Sequence, residues 1–220
     1  MPTPLRIAPD TPLHELEYVV VDCETTGRSY ARSDRVTDVA AVVVRNGRVE
    51  DTFSALVNPR RAIPPAIARL TGITNSMVAV APPFEDVAHH VAAILSSRVF
   101  VAHNVAFDWG FVGEELFRAT GRGLSGERLC TVRLARKLLS HLPRRNLDAV
   151  SAYYGIPIHG RHRALGDAVA TAHVFTRMLD ELGRQGVHTW GDLRTMFRGP
   201  KKKRRRWSAL PSVMTDWHIA

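Results

Sequence analysis

A chain of 220 residues, 45% of them hydrophobic, can bury one substantial core and is near the upper size for a single domain, so one catalytic-size domain with appendages is expected. Two cysteines are too few for a disulfide scaffold or a cysteine-based zinc site; the N-terminus has prolines and acids where a signal peptide needs an apolar core, and no run is apolar enough to span a bilayer, so a soluble, reduced, cytoplasmic protein is expected. The net charge of +9 favours a polyanionic partner such as nucleic acid, but Lys201–Arg206 alone supplies six of those charges and the rest carries only +3.

In chain order, residues 1–14 are proline-rich, lack periodicity and read as a flexible lead-in to a domain spanning 15–185. Three valines after Tyr18 predict a buried strand over Tyr18–Cys23 that ends in Asp22-Cys23-Glu24-Thr25-Thr26-Gly27. Val36–Val44 reads as a second strand, Asn46-Gly47 as a hairpin turn and Val49–Val57 as a third strand, which together make an antiparallel meander. Pro64–Leu70 predicts a short helix stopped by Gly72, followed by a turn-rich link. Helical spacing over Phe84–Leu95, an apolar strand over Val99–Ala102 and a helix from Phe107 to Thr120 come next. Leu129–Val132 reads as a last short strand before a helix carrying Leu134, Leu138 and Leu139. Asn146 can cap a helix over Leu147–Tyr154, and Ala164 to about Leu182 predicts a long final helix. Residues 186–198 read as a short helical extension and 199–220 as a basic tail. Hairpin strands followed by helix–strand alternation argue for an α/β fold with a mixed sheet.

Side chains alternate along a strand, so Asp22 and Glu24 share one face while Cys23 points into the opposite layer. Two desolvated carboxylates at one strand end raise each other's pKa unless a cation neutralises them, and hard oxygen ligands suit Mg²⁺ or Mn²⁺. An exposed strand end whose acids face water is the plainer alternative. Asp108, one turn into its helix, fits a site or merely a dipole-favoured helix start. Asp167 starts the last long helix beside a small-residue stripe of Ala164, Ala168 and Ala172 that permits close approach to the sheet; His162, five residues upstream, is one of ten histidines and by itself reads as catalytic or as an ordinary surface residue.

The stretches VDCETTG, AHNVAFDWGFV and HRALGDA, in this order and spacing, resemble the three motifs of the histidine-subtype DEDD exonucleases of the RNase H-like superfamily, most of all epsilon-type proofreading subunits of bacterial replicative DNA polymerase. The resemblance covers about Leu16 to Leu182. It implies a mixed five-stranded sheet flanked by helices, two divalent ions (Mg²⁺ or Mn²⁺) on Asp22, Glu24, Asp108 and Asp167, and His162 as general base. The implied reaction is hydrolysis from 3′ ends, releasing nucleoside 5′-monophosphates, with single-stranded DNA ends preferred. Thr71, Gly72 and Ile73 match a segment that borders the terminal nucleotide in such enzymes, and Thr25, Thr26, His103, Asn104 and Phe107 are further candidate substrate contacts; a simple turn accounts for the two threonines almost as well. Asp38 stands where relatives often carry glutamate.

Two other readings fit the same residues. One is an RNA 3′ exonuclease, and the other a non-catalytic nucleic-acid-binding module, against which the intact acids count, because converging carboxylates without a metal are costly. Gln185–Trp190 loosely resembles a clamp-binding peptide, which would imply a sliding clamp or a DNA polymerase as partner, although packing of Trp190–Phe197 on the domain is the plainer expectation. The cation run reads as an interaction arm for nucleic acid, with nuclear import as the ordinary alternative.

Overall fold

The computed structural model describes residues 6–198, and the basic run Lys201–Arg206 therefore lies outside the described residues. The strands are β1 (Tyr18–Thr25), β2 (Val36–Arg45), β3 (Arg48–Leu56), β4 (Val99–Ala102) and β5 (Arg128–Cys130). They form one sheet in the order β3-β2-β1-β4-β5, with β1, β2 and β3 antiparallel and β4 and β5 parallel to β1. This is the mixed five-stranded sheet that the α/β reading expects.

The eight α-helices among the described residues are α1 (Pro65–Thr71), α2 (Asn75–Ala79), α3 (Phe84–Leu95), α4 (Ala106–Thr120), α5 (Thr131–Leu138), α6 (Leu147–Tyr153), α7 (Ala164–Arg184) and α8 (Trp190–Arg198). They cover both faces of the sheet. Val20, Ala40, Val42, Val99 and Val101 face α5, α6, α7 and α8, while Val19, Val21, Cys23, Val39 and Phe100 face α3 and α4. Continuous valine runs therefore suit β1 and β2, because both of their faces are dry. The alanine stripe behaves as the sequence predicts: Ala164, Ala168 and Ala172 are fully buried where α7 lies against β1 and β2.

Several details differ from the sequence reading. β1 runs on through Glu24 to Thr25, with an irregularity in its pairing to β2 between those two residues. The turn-rich link contains α2, whose start is capped by the Thr74 hydroxyl accepting from the Met77 N–H at 3.3 Å. Thr131 and Val132 belong to α5, and Leu139 follows that helix as its C-cap. Asn146 does precede α6, but its side chain turns to Asp148 and caps no backbone N–H.

The stretch expected to be a flexible lead-in is pinned as far as residues 9–13. Trp190 and Gly191 donate their N–H groups to the carbonyls of Thr11 and Pro9, Leu13 donates to the His188 carbonyl, and Leu13 itself is buried. The clamp-peptide reading of Gln185–Trp190 fails for a physical reason: Trp190 is only 2% exposed and its ring is part of the core, so no partner can take it without unfolding α8.

Candidate active site

Asp22 and Glu24 project from the last turns of the β1 pleat on the α7 side, while Cys23 enters the layer beneath α3 and α4. Beyond Val20 and Val101, β1 loses its pairing with β4. The Cys23 N–H, left without a strand partner, donates to Asp108 Oδ1 at 3.0 Å. Asp108 is thus fixed in direction as well as position: it sits in the first turn of α4, 3% exposed, over the end of β1.

Asp167 enters from the other side of the sheet, in the first turn of α7 and 2% exposed. One of its oxygens, Oδ2, accepts from the His162 N–H at 3.1 Å and from Arg161 Nη1 at 2.6 Å. The other, Oδ1, is buried with no partner among the described residues. Glu24, His162 and Asp167 each bring one ligand atom to within 4.8 Å of the others. Asp22 and Asp108 lie outside that tight trio, yet both belong to the same charge cluster.

Burial raises the Asp22 pKa well above the ordinary carboxylate range, and the charges of Asp108, Asp167 and Glu24 raise it further. Burial, with Asp167 and Asp38 behind it, pushes Glu24 up to about 7. Asp108 also reaches about 7 through burial, against the stabilising Cys23 N–H. Asp167 is raised by burial too, and Arg161 pulls it back. Four acids whose pKa values burial raises, with mutual repulsion adding to it at Asp22 and Glu24, are ill suited to a bare protein and well suited to a hard divalent cation, which would relieve both the desolvation and the repulsion. The unpartnered Asp167 Oδ1 is the structural sign of the same fit.

The loop that carries His162 is shaped by two backbone features. His162 itself has φ +61°, a left-handed conformation that a non-glycine residue adopts at a cost. Gly166 lies directly under the loop, where a Cβ would stand 2.0 Å from the His159 carbonyl oxygen and 2.6 Å from that of Gly160. The sequence motif HRALGDA therefore spends its glycine on close approach of loop and helix.

The other sequence-predicted contacts divide by exposure. Thr25 and Thr26 are buried; the Thr25 hydroxyl donates to the Gly27 carbonyl, and the Thr26 hydroxyl accepts from the Arg35 N–H at 3.0 Å. The Thr71 hydroxyl is tied to the Ile67 carbonyl and the Ile73 N–H, and Ile73 is core. These four side chains are turned inward, and the Thr25 and Thr26 hydroxyls bond within their own turn, as the simpler reading of the two threonines expects. Gly72 and Asn104 are exposed, both with positive φ, and Phe107 is half-buried against Phe111. His103 Nδ1 pairs with the Thr131 hydroxyl at 2.9 Å, and burial lowers its pKa to about 4, which keeps it neutral.

Sequence reasoning missed Asp38 as a supporting residue. Its Oδ2 accepts from Arg163 Nε at 3.0 Å and from the Ala164 N–H at 3.3 Å, so a residue of β2 caps α7 from across the sheet. Arg35 and Glu115 were also missed; they form a two-pronged ion pair at 2.7 Å per prong, with Glu115 3% exposed, tying the start of β2 to α4. Asp38 and Glu115 each showed in the sequence as a charge inside an apolar pattern, whereas Arg35, at the end of a polar loop, gave no signal.

The profile of the exonuclease family RNase_T matches residues 19–175. The 3′-5′ exonuclease DinG of Bacillus subtilis is 38% identical over 184 residues, which are 84% of this chain and 20% of that protein. The DNA polymerase III subunit epsilon of Aquifex aeolicus is 35% identical over 183 residues, 83% of this chain and 90% of that protein. Exonuclease X, solved in complex with 5′ overhanging duplex DNA, superposes with a TM-score of 0.62 at 29% identity, over 77% of this chain and 93% of that one. The chain spans less than a third of the length of several of its curated relatives, DinG among them.

Proposed function

The chain belongs to the RNase_T exonuclease family, and we propose that it is a metal-dependent 3′-5′ exonuclease that removes nucleoside 5′-monophosphates from DNA ends. The observation that carries this reading is the meeting of Asp22, Glu24, Asp108 and Asp167 at one strand end, with Asp167 Oδ1 buried and unpartnered among the described residues. A structural role would not need four desolvated acids that destabilise one another. Asp22, Glu24 and Asp167 are the residues to hold one Mg²⁺ or Mn²⁺ ion, and Asp22 with Asp108 a second. When bound, such ions supply Lewis acidity, lowering the pKa of a water and neutralising charge that builds on a phosphodiester.

The chain's own groups do the rest. The Cys23 N–H holds the Asp108 carboxylate in one orientation. The His162 ring, beside Glu24 and Asp167, accepts the proton released by the attacking water. Gly72, Asn104 and Phe107 offer exposed or half-exposed groups for the terminal nucleotide. Epsilon and exonuclease X support DNA over RNA as substrate, by what they are named for. No helix among the described residues is long and apolar enough to cross a membrane.

The test is a time course on matched 5′-labelled DNA and RNA oligonucleotides, single- and double-stranded, with Mg²⁺, Mn²⁺ or chelator. Metal-dependent shortening of DNA from the 3′ end is expected. Faster trimming of RNA would reassign the substrate, and no trimming of either would overturn the reading.

A further inference from the structure

Arg161 lies between two carboxylates. It meets Asp148, in the first turn of α6, through Nε at 2.8 Å and Nη2 at 3.3 Å, and it meets Asp167 Oδ2 through Nη1 at 2.6 Å. The Asp148 fork fixes the plane of the guanidinium, and the rigid plane then fixes Asp167. The oxygen that Arg161 takes is the one already bonded to the His162 N–H, and the oxygen left over, Oδ1, is the buried one without a partner. From this asymmetry we propose that Arg161, anchored by Asp148, is a positioning residue that turns Asp167 so that Oδ1 faces the metal site.

This rests on the metal-dependent reading above, and adds to it an outer layer in which α6 and the loop before α7 orient a ligand on α7. The charge of Arg161 opposes the cation it would adjoin, and its Nη1 also lies 3.3 Å from His162 Nδ1. That opposition makes the sign of the effect diagnostic. If Arg161 were only a nearby charge, its removal would tighten divalent-ion binding. If it orients Asp167, its removal loosens binding despite the relief of repulsion, and groups that orient a metal ligand typically alter affinity by about 10- to 100-fold.

The experiment is Mn²⁺ binding to the full chain, followed by electron paramagnetic resonance or calorimetry and so independent of turnover, with circular dichroism to verify folding. Arg161→Gln is expected to weaken Mn²⁺ binding by roughly 10-fold or more. Arg161→Lys keeps the charge but not the planar fork and is expected to weaken binding comparably. Asp148→Asn, which releases the far end of Arg161, is expected to weaken binding in the wild-type background and to have little further effect in Arg161→Gln. Unchanged or tighter Mn²⁺ binding in both Arg161 variants overturns the proposal. So does an Asp148→Asn effect of the same size with and without Arg161, which would mark Asp148 as a remote charge. A wild-type protein that binds no Mn²⁺ overturns the functional reading itself and this inference with it.

Discussion

Asp108 shows how one side chain serves both fold and site. Its carboxylate satisfies the Cys23 N–H at 3.0 Å, a donor that the sheet leaves without a strand partner. Asp108→Asn keeps an oxygen for that donor and removes a charge, so it is expected to raise the metal-free Tm while abolishing nuclease activity. Asp108→Ala also strands a buried donor, at about 1–3 kcal/mol, and is expected to be the less stable of the two. His162→Ala is expected to lower kcat by roughly 10²- to 10⁴-fold with Mn²⁺ affinity retained; lost affinity would make the ring a ligand rather than a base. Protonation adds a further test. The Glu24 and Asp108 pKa values are raised from 4.5 and 3.8 to about 7 in each case, so the folded metal-free protein binds more protons than the unfolded chain between about pH 4 and 7. Stability is then full at the acid end of that window and is lost as pH rises through it. Divalent ions take the place of those protons, so the gap in Tm between Mn²⁺-loaded and metal-free protein should widen from about pH 4 to 7 and level off above it, as thermal denaturation across pH would show.

At the scale of elements, local signals carried the sequence reading and non-local ones escaped it. The valine runs, Asn46-Gly47 and the alanine stripe are patterns within a few residues, and the strands and α7 follow them. The facing of Asp22 and Glu24 follows from the period of a strand. The capping of α7 by Asp38 joins residues 126 apart, and the Arg35–Glu115 pair spans 80; neither partner's role is visible in its own neighbourhood. The α2 helix escaped because five residues are too few to show a period. Asn146 was misread because a preferred capping residue does not dictate its rotamer, and here Asp148 competes for it. The close approach of loop and helix at Gly166 is itself testable. A Cβ added there would meet backbone oxygens, which cannot move without shifting residues 159–163, the loop that carries Arg161 and His162. Gly166→Ala is expected to cut kcat by on the order of 10²-fold with a smaller loss of Tm, because misplacement by about an ångström has that effect on aligned groups. Unchanged turnover would show that the loop tolerates the shift.

Over the whole molecule, the sheet order places β1 in the middle, with α4 on one face and α7 on the other, so that acids from three chain segments meet where β1 outruns β4. The sheet and its flanking helices make the RNase H-like fold that the three motifs implied, and that fold is shared with exonuclease X. Six of the nine net positives lie in Lys201–Arg206, outside the described residues and beyond α8. If those cations pair with phosphates, affinity for single-stranded DNA should fall by a log–log slope of about 0.7 per contact as salt rises. Truncation before Gly199 is expected to flatten that slope while leaving turnover of saturating short substrate nearly unchanged. Equal slopes with and without the tail would direct the search to a protein partner for it.

On the reading proposed above, Asp22, Glu24, Asp108 and Asp167 act as one divalent-metal site for hydrolysis at a 3′ end. Its most direct test is Mn²⁺ re-addition to chelator-treated protein on 5′-labelled single-stranded DNA, comparing wild type with Asp108→Asn. Wild type is predicted to recover stepwise shortening from the 3′ end, and the folded variant to recover none. Undiminished shortening by Asp108→Asn would mean that these four acids are not one metal site.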